Sequence, residues 1–188
     1  MKLSTLRVLA VSAMLSVTAI SGAVYAQENP MVGGAAMSAD KDIIDNAVNS
    51  ADHTTLVAAV QAAGLVETLK GAGPFTVLAP TNEAFAALPA GTVDTLLKPE
   101  NKDQLAKILT CHVVAAKAMA ADITKMAMDD GGAHVVDTVG GCKLTLKAEG
   151  GKVTVTDENG TVANVTIADV VQSNGVIHVI DKVLLPKS

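Results

Sequence analysis

Two hydrophobic periods divide this chain, and one fold has to satisfy both. From Asp40 to Met126 many apolar residues recur at helical spacing: Ile43 with Ala47, Ile44 with Val48, Leu56 with Val60, then Met119, Ile123 and Met126. Recurrence at three and four residues lays an apolar stripe along a helix. From Leu144 onward the pattern changes. Leu144 and Leu146, then Val153 and Val155, alternate with Thr and Lys, as in strands with one face covered. Helices first and strands later predict an α+β domain with mainly antiparallel pairing rather than a doubly wound sheet.

Turn residues punctuate this pattern. A helix is expected from about Thr54, interrupted at Gly64, and Gly71 and Gly73-Pro74 stop helical structure. Phe75 to Leu78 reads as a strand ended by Pro80. Thr81 reads as the N-cap of a short helix through Leu88. Val93, Leu96 and Leu97 suggest one or two more helical turns. Pro99 opens the next helix, which carries Leu105, Ile108 and Leu109, and Cys111 to Val114 reads as a short strand. Glu149-Gly150-Gly151-Lys152 and Asp157-Glu158-Asn159-Gly160 are turn signals between strands. Val162 to Val171 is a further strand, and Gly175 to Leu185 is dense enough in Val and Ile to be a central strand covered on both faces.

The first 26 residues have the layout of a secretory signal peptide. Lys2 and Arg7 precede an apolar stretch from Val8 to Ile20, and Val24-Tyr25-Ala26 offers a small-x-small cleavage site after Ala26. The stretch is short for a membrane span. Gln27 to Ala39 has no period and reads as a mobile lead-in; residues 40–186 form the single domain. The 188-residue chain carries a net charge of −5, and loss of Lys2 and Arg7 takes the exported part to −7. That charge opposes binding to a phosphate backbone. Aromatics make up 2%, too few for base-stacking platforms. Nucleic acid is therefore excluded as a partner. No later segment reads as a membrane span, and a secreted or periplasmic monomer is expected.

Two longer segments carry a family pattern. Gly73-Pro74-Phe75-Thr76-Val77-Leu78-Ala79-Pro80-Thr81-Asn82-Glu83-Ala84-Phe85 resembles the first signature of fasciclin-type domains. Asn174-Gly175-Val176-Ile177-His178-Val179-Ile180-Asp181-Lys182-Val183-Leu184-Leu185-Pro186 resembles the second. Cys111-His112 stands where the family usually has Tyr-His. The resemblance covers roughly Asp40 to Pro186 and implies a β-wedge with a helical layer, working outside the cell in adhesion or surface interaction. It implies structural roles for Phe75, Pro80, Thr81, Asn82, Phe85, His112, Asn174, Gly175, His178, Asp181 and Pro186. Integrin recognition, associated with the Tyr-His region in animal relatives, does not carry over, because the Tyr is replaced and no Arg-Gly-Asp exists here.

Candidate chemistry is sparse. Cys111 and Cys142 are the only cysteines. An even count in an oxidising compartment favours a disulfide, with two buried thiols as the alternative. Cys111 and His112, adjacent on a predicted strand, would face opposite ways and make a poor nucleophile–base pair. His53, His112, His134 and His178 lack the spacing of metal ligands. Asp157-x-Asn159-Gly160 echoes a calcium loop but lacks its closing Glu. Phosphate-binding glycine loops and the G-x-S-x-G elbow are missing. No catalytic residue, metal or cofactor is expected. The function that remains is an exported, non-enzymatic interaction module with a protein or glycan partner, engaged through helices near Val93 to Leu109. The alternative is a periplasmic carrier holding a small molecule in an apolar cleft, for which the sequence offers no polar cluster to orient a ligand.

Overall fold

The computed structural model describes residues 29–187. The predicted signal peptide lies outside them. Among these residues seven α-helices and nine strands make an α+β arrangement. A two-strand hairpin, β1 (Met31–Val32) and β2 (Ala35–Ala36), comes first. Three helices follow: α1 (Ile43–Ala47), α2 (Thr54–Ala63) and α3 (Val66–Lys70). Strand β3 (Phe75–Pro80) leads into α4 (Asn82–Ala86), α5 (Thr92–Leu96) and α6 (Lys102–Thr110). After β4 (Val113–Val114) and α7 (Ala120–Asp129) the chain makes a run of strands. These are β5 (Ala133–Asp137), β6 (Lys143–Glu149), β7 (Lys152–Thr156), β8 (Val162–Gln172) and β9 (Gly175–Ile180).

Local chemistry explains the element ends. Asp42 caps α1 by accepting the Asp45 N–H at 2.8 Å. Gly64, at φ 73°, closes α2 in the left-handed conformation that a side chain resists. Thr81 Oγ1 accepts the Ala84 N–H and starts α4, as its position after Pro80 predicts.

Seven strands form one sheet in the order β4-β3-β9-β8-β7-β6-β5. Every pairing is antiparallel except β3 with β9, where Phe75–Pro80 runs in parallel register beside Gly175–Ile180. The two segments that resemble family signatures are thus the central parallel pair. All six residues of β9 are buried, because the sheet is covered on both faces there. Val77, Ala79, Ile177 and Val179 join Leu56, Val60, Leu105 and Leu109 in a core under α1–α6. Leu78 and Ile180 join Ile123, Leu144, Leu146, Val153 and Val155 in a second core, closed by α7.

Three expectations need correction. Residues 27–39 were expected to be a mobile lead-in. From Met31 to Met37 they instead form the hairpin and its exit, with Val32 and Met37 buried in the helical core. The Met37 N–H donates to the Pro30 carbonyl, and buried Asn46 holds both the N–H and the carbonyl of Ser38. The strand at Cys111 to Val114 begins only at Val113, because Cys111 is the C-cap of α6. The last strand ends at Ile180 rather than Leu185, because Asp181 turns back to hold Asn164. Strand β5 was not foreseen.

Candidate functional site

Two signature histidines are buried at different junctions, and each is wired at both nitrogens. His112 Nε2 accepts the Leu184 N–H at 2.9 Å, so Nδ1 carries the hydrogen and donates to the Ile108 carbonyl at 2.8 Å. Burial pushes its pKa down to about 4, only partly opposed by the Ile108 carbonyl and Asp157. His178 Nδ1 accepts the Asp169 N–H at 3.2 Å, and Nε2 donates to the Ala118 carbonyl at 2.8 Å. Burial lowers its pKa as well, against the Ala118 carbonyl and Asp169.

Each histidine stabilises an irregular stretch of backbone. Asp169 has φ 58°, uncommon for a residue with a side chain, and lies where β8 slips register against β9. His178 takes its N–H, and its carboxylate accepts the Ala120 N–H at 2.7 Å. The bulge is thereby tied to the start of α7. His112 holds the chain beyond β9 in the same way. Next along the chain, the Leu185 N–H donates to Asp157 Oδ2 at 2.9 Å, and Asn159 Nδ2 donates to the Leu185 and Pro186 carbonyls. Asp157 Oδ1 meanwhile accepts the N–H groups of Asn159 and Thr161. The turn that echoes a calcium loop directs this carboxylate at backbone N–H groups.

The asparagines do similar work. Asn82 donates to the Ala51 carbonyl at 2.8 Å and accepts the Thr55 N–H at 3.0 Å, joining α4 to the start of α2. Asn174 reaches two helices: it accepts the Ile43 N–H of α1 at 3.1 Å and donates to the Leu69 and Gly71 carbonyls at the end of α3. Its own carbonyl accepts the Phe75 N–H. The adjoining Gly175 permits this approach, since a Cβ there would stand 2.2 Å from the Phe75 oxygen. Phe85 is buried in the helical core, Phe75 packs against it, and Pro80 is buried at the end of β3.

Cys111 and Cys142 are joined by a disulfide with a Cα separation of 5.4 Å. It fixes the end of α6 to the loop before β6. Cys111 and His112 occupy a turn, and the sulfur is committed to the bridge. Among the described residues no three His, Cys, Asp or Glu side chains gather as a metal site, and His134 pairs with Asp130 at the surface. No described helix is long and apolar enough to cross a membrane. His53 and Asp157, which the sequence offers only as metal-ligand candidates, are buried and hydrogen-bonded within the fold, and Asp169 and the buried Asn46–Gln172 pair carry no signal in the sequence.

Exposed chemistry lies elsewhere. The apolar residues of α5 and α6, Leu96, Leu105, Ile108 and Leu109, face the core. The outer face of β5–β8 is open. Register places Val135, Thr145, Thr156 and Val162 in one row across four strands. Val135 is 54% exposed and Val162 42%. Lys147 and Thr154 form the next pair along, with Glu149 and Lys152 beyond them. Lys143, Lys147 and Lys152 stand on this face with Asp137 and Glu149, and Asp181 is bonded to outward Asn164 on β8, so the charges balance.

The Fasciclin domain family matches residues 51–186. The chain is 50% identical to Protein sll1483 of Synechocystis sp. over 160 residues, which cover 85% of this chain and 82% of that one. Immunogenic protein MPB70 of Mycobacterium bovis is 34% identical over 172 residues, covering 86% and 78%. Among solved structures, a FAS1 domain pair from the insect cell adhesion molecule Fasciclin I superposes with a TM-score of 0.69 at 18% identity, over 77% of this chain and 51% of that one. With the signature residues forming the central strand pair and a family match spanning most of the described domain, the chain belongs to the fasciclin domain family.

Proposed function

We propose that this protein is an exported, non-enzymatic interaction module that binds a macromolecular partner outside the cytoplasm through the outer face of β5–β8. One observation carries the reading: the signature side chains are engaged in internal hydrogen bonds, while the row Val135–Thr145–Thr156–Val162 presents four β-branched residues outward across a continuous sheet. β-branched side chains have few rotamers to lose, which favours rigid contact. The adhesion role that the family resemblance implies supports the same reading, as does the secretory layout of the first 26 residues.

The test is a cross-linked pull-down from a cell-surface and envelope extract, with residues 27–188 as bait and denatured bait as control. Val135→Glu and Val162→Glu should each reduce capture of the partner at least tenfold while shifting Tm by no more than about 2 °C, since exposed substitutions seldom exceed about 0.5 kcal/mol. Capture unchanged by both substitutions, or no partner above control, would overturn the assignment.

A further inference from the structure

Beyond Ile180, where β9 ends, the chain crosses the end of both cores. Val183 is buried in the helical core and Leu184, the next residue, in the other. Among the described residues this strap, 182–187, hydrogen-bonds only to side chains. The Leu184 N–H donates to His112 Nε2 at 2.9 Å, the Leu185 N–H to Asp157 Oδ2 and the Lys187 N–H to Glu158 Oε2. Asn159 Nδ2 holds the Leu185 and Pro186 carbonyls. The strands are secured by ladders whose backbone carbonyls accept at any pH. The strap is secured in part by an acceptor that acid abolishes.

A histidine nitrogen accepts only while it carries no proton. His112 Nδ1 already carries one, donated to the Ile108 carbonyl. A second proton has only Nε2 to occupy, where it points at the Leu184 N–H. His112 is 2% exposed and Leu184 1%. Two donors then face each other inside the fold, and a buried N–H without an acceptor is costly. We propose that residues 182–187 are an acid-released strap: protonation of His112 at Nε2 ejects the Leu184 N–H, and Val183 and Leu184 leave the ends of the two cores while the seven-stranded sheet stays paired. The covered ring takes a proton only at about pH 4, because burial opposes the charge, whereas an uncovered ring takes one near 6.5. The released strap therefore binds the proton more readily, and falling pH favours it. Two titratable groups face the ring. Asp157, from the β7–β8 turn, favours its charge, and His53 shares a cavity wall with it, its own pKa also lowered by burial. Glu158, Lys182 and Lys187 lie exposed on the strap and its turn. The device does not rest on the outer sheet face being an interface.

Native-state hydrogen exchange, followed by NMR on residues 27–188, tests this. The Leu184 and Leu185 amides should exchange through an opening at least tenfold more frequent than the one that exposes Val179 of β9, and insensitive to low urea, as a local release is. From pH 7 to pH 4.5 the frequency of that opening should rise at least tenfold. His112→Gln keeps an acceptor that does not titrate, and should cut the rise to less than threefold. Should that variant fail to fold, the wild-type amides decide. Strap and β9 amides exchanging through one common opening, a strap opening unchanged by pH, or an undiminished rise in a folded His112→Gln variant would overturn the proposal.

Discussion

His112 makes one residue sensitive to acid in a calculable way. Its folded pKa of about 4 lies below the ordinary value of 6.5, so the unfolded chain binds the proton more readily. The contribution of neutral His112 is fully present above pH 6.5, declines as pH falls, and is lost once pH passes about 4. The difference is worth about 3 kcal/mol at most. Burial shifts His53 and His178 in the same direction, so their effects add to the slope. Urea denaturation should show stability falling between pH 7 and pH 4.5. A flat profile would mean that the histidines open to solvent without unfolding.

Among the elements, the disulfide and the hairpin make separate demands. Cys111 and Cys142 are 31 residues apart, and closing a loop of that size stabilises by about 3–4 kcal/mol in the chain-entropy model. The double Cys→Ser variant should melt well below wild type, and equal Tm values would refute the loop-closure account. Deleting residues 27–39 removes two buried side chains, Val32 and Met37, worth together about 3–5 kcal/mol, and takes the Ser38 backbone from Asn46. A truncated chain with undiminished urea midpoint would show the hairpin to be dispensable. The strands with clean alternation were legible in sequence, Leu144/Leu146 and Val153/Val155 above all, as was β9 with its run of Val and Ile. β1 and β2 were not, since two-residue strands are too short to show a period. β5 escaped because Ala133-His134-Val135-Val136-Asp137 does not alternate cleanly. In the site, signature residues such as Asn174 could be named, but its bond to Ile43 spans 131 residues and leaves no local trace. His53 looked like any lone histidine, because its burial and its bond to Ser50 are properties of its surroundings.

As a whole molecule the domain has two cores that share the central strands. Val77 and Ala79 of β3 and Ile177 and Val179 of β9 belong to the helical core, and Leu78 and Ile180 belong to the other. Neither core survives loss of those strands. Calorimetry should therefore give a single transition, with van't Hoff and calorimetric enthalpies equal. Val179→Ala and Ile180→Ala should each lower that same transition rather than split it, at about 1–4 kcal/mol apiece. Two resolved transitions would show the cores to be independent.

The outward row on β5–β8 has a consequence for descent. Its side chains can be exchanged while the inward residues of the same strands stay fixed, since successive positions on a strand answer to opposite faces. Two members of one lineage can thus keep an identical interior and recognise unrelated surfaces. With the proposed face as the interface, partner choice is inherited separately from architecture, and the positions at which to look for its divergence are 135, 145, 156 and 162.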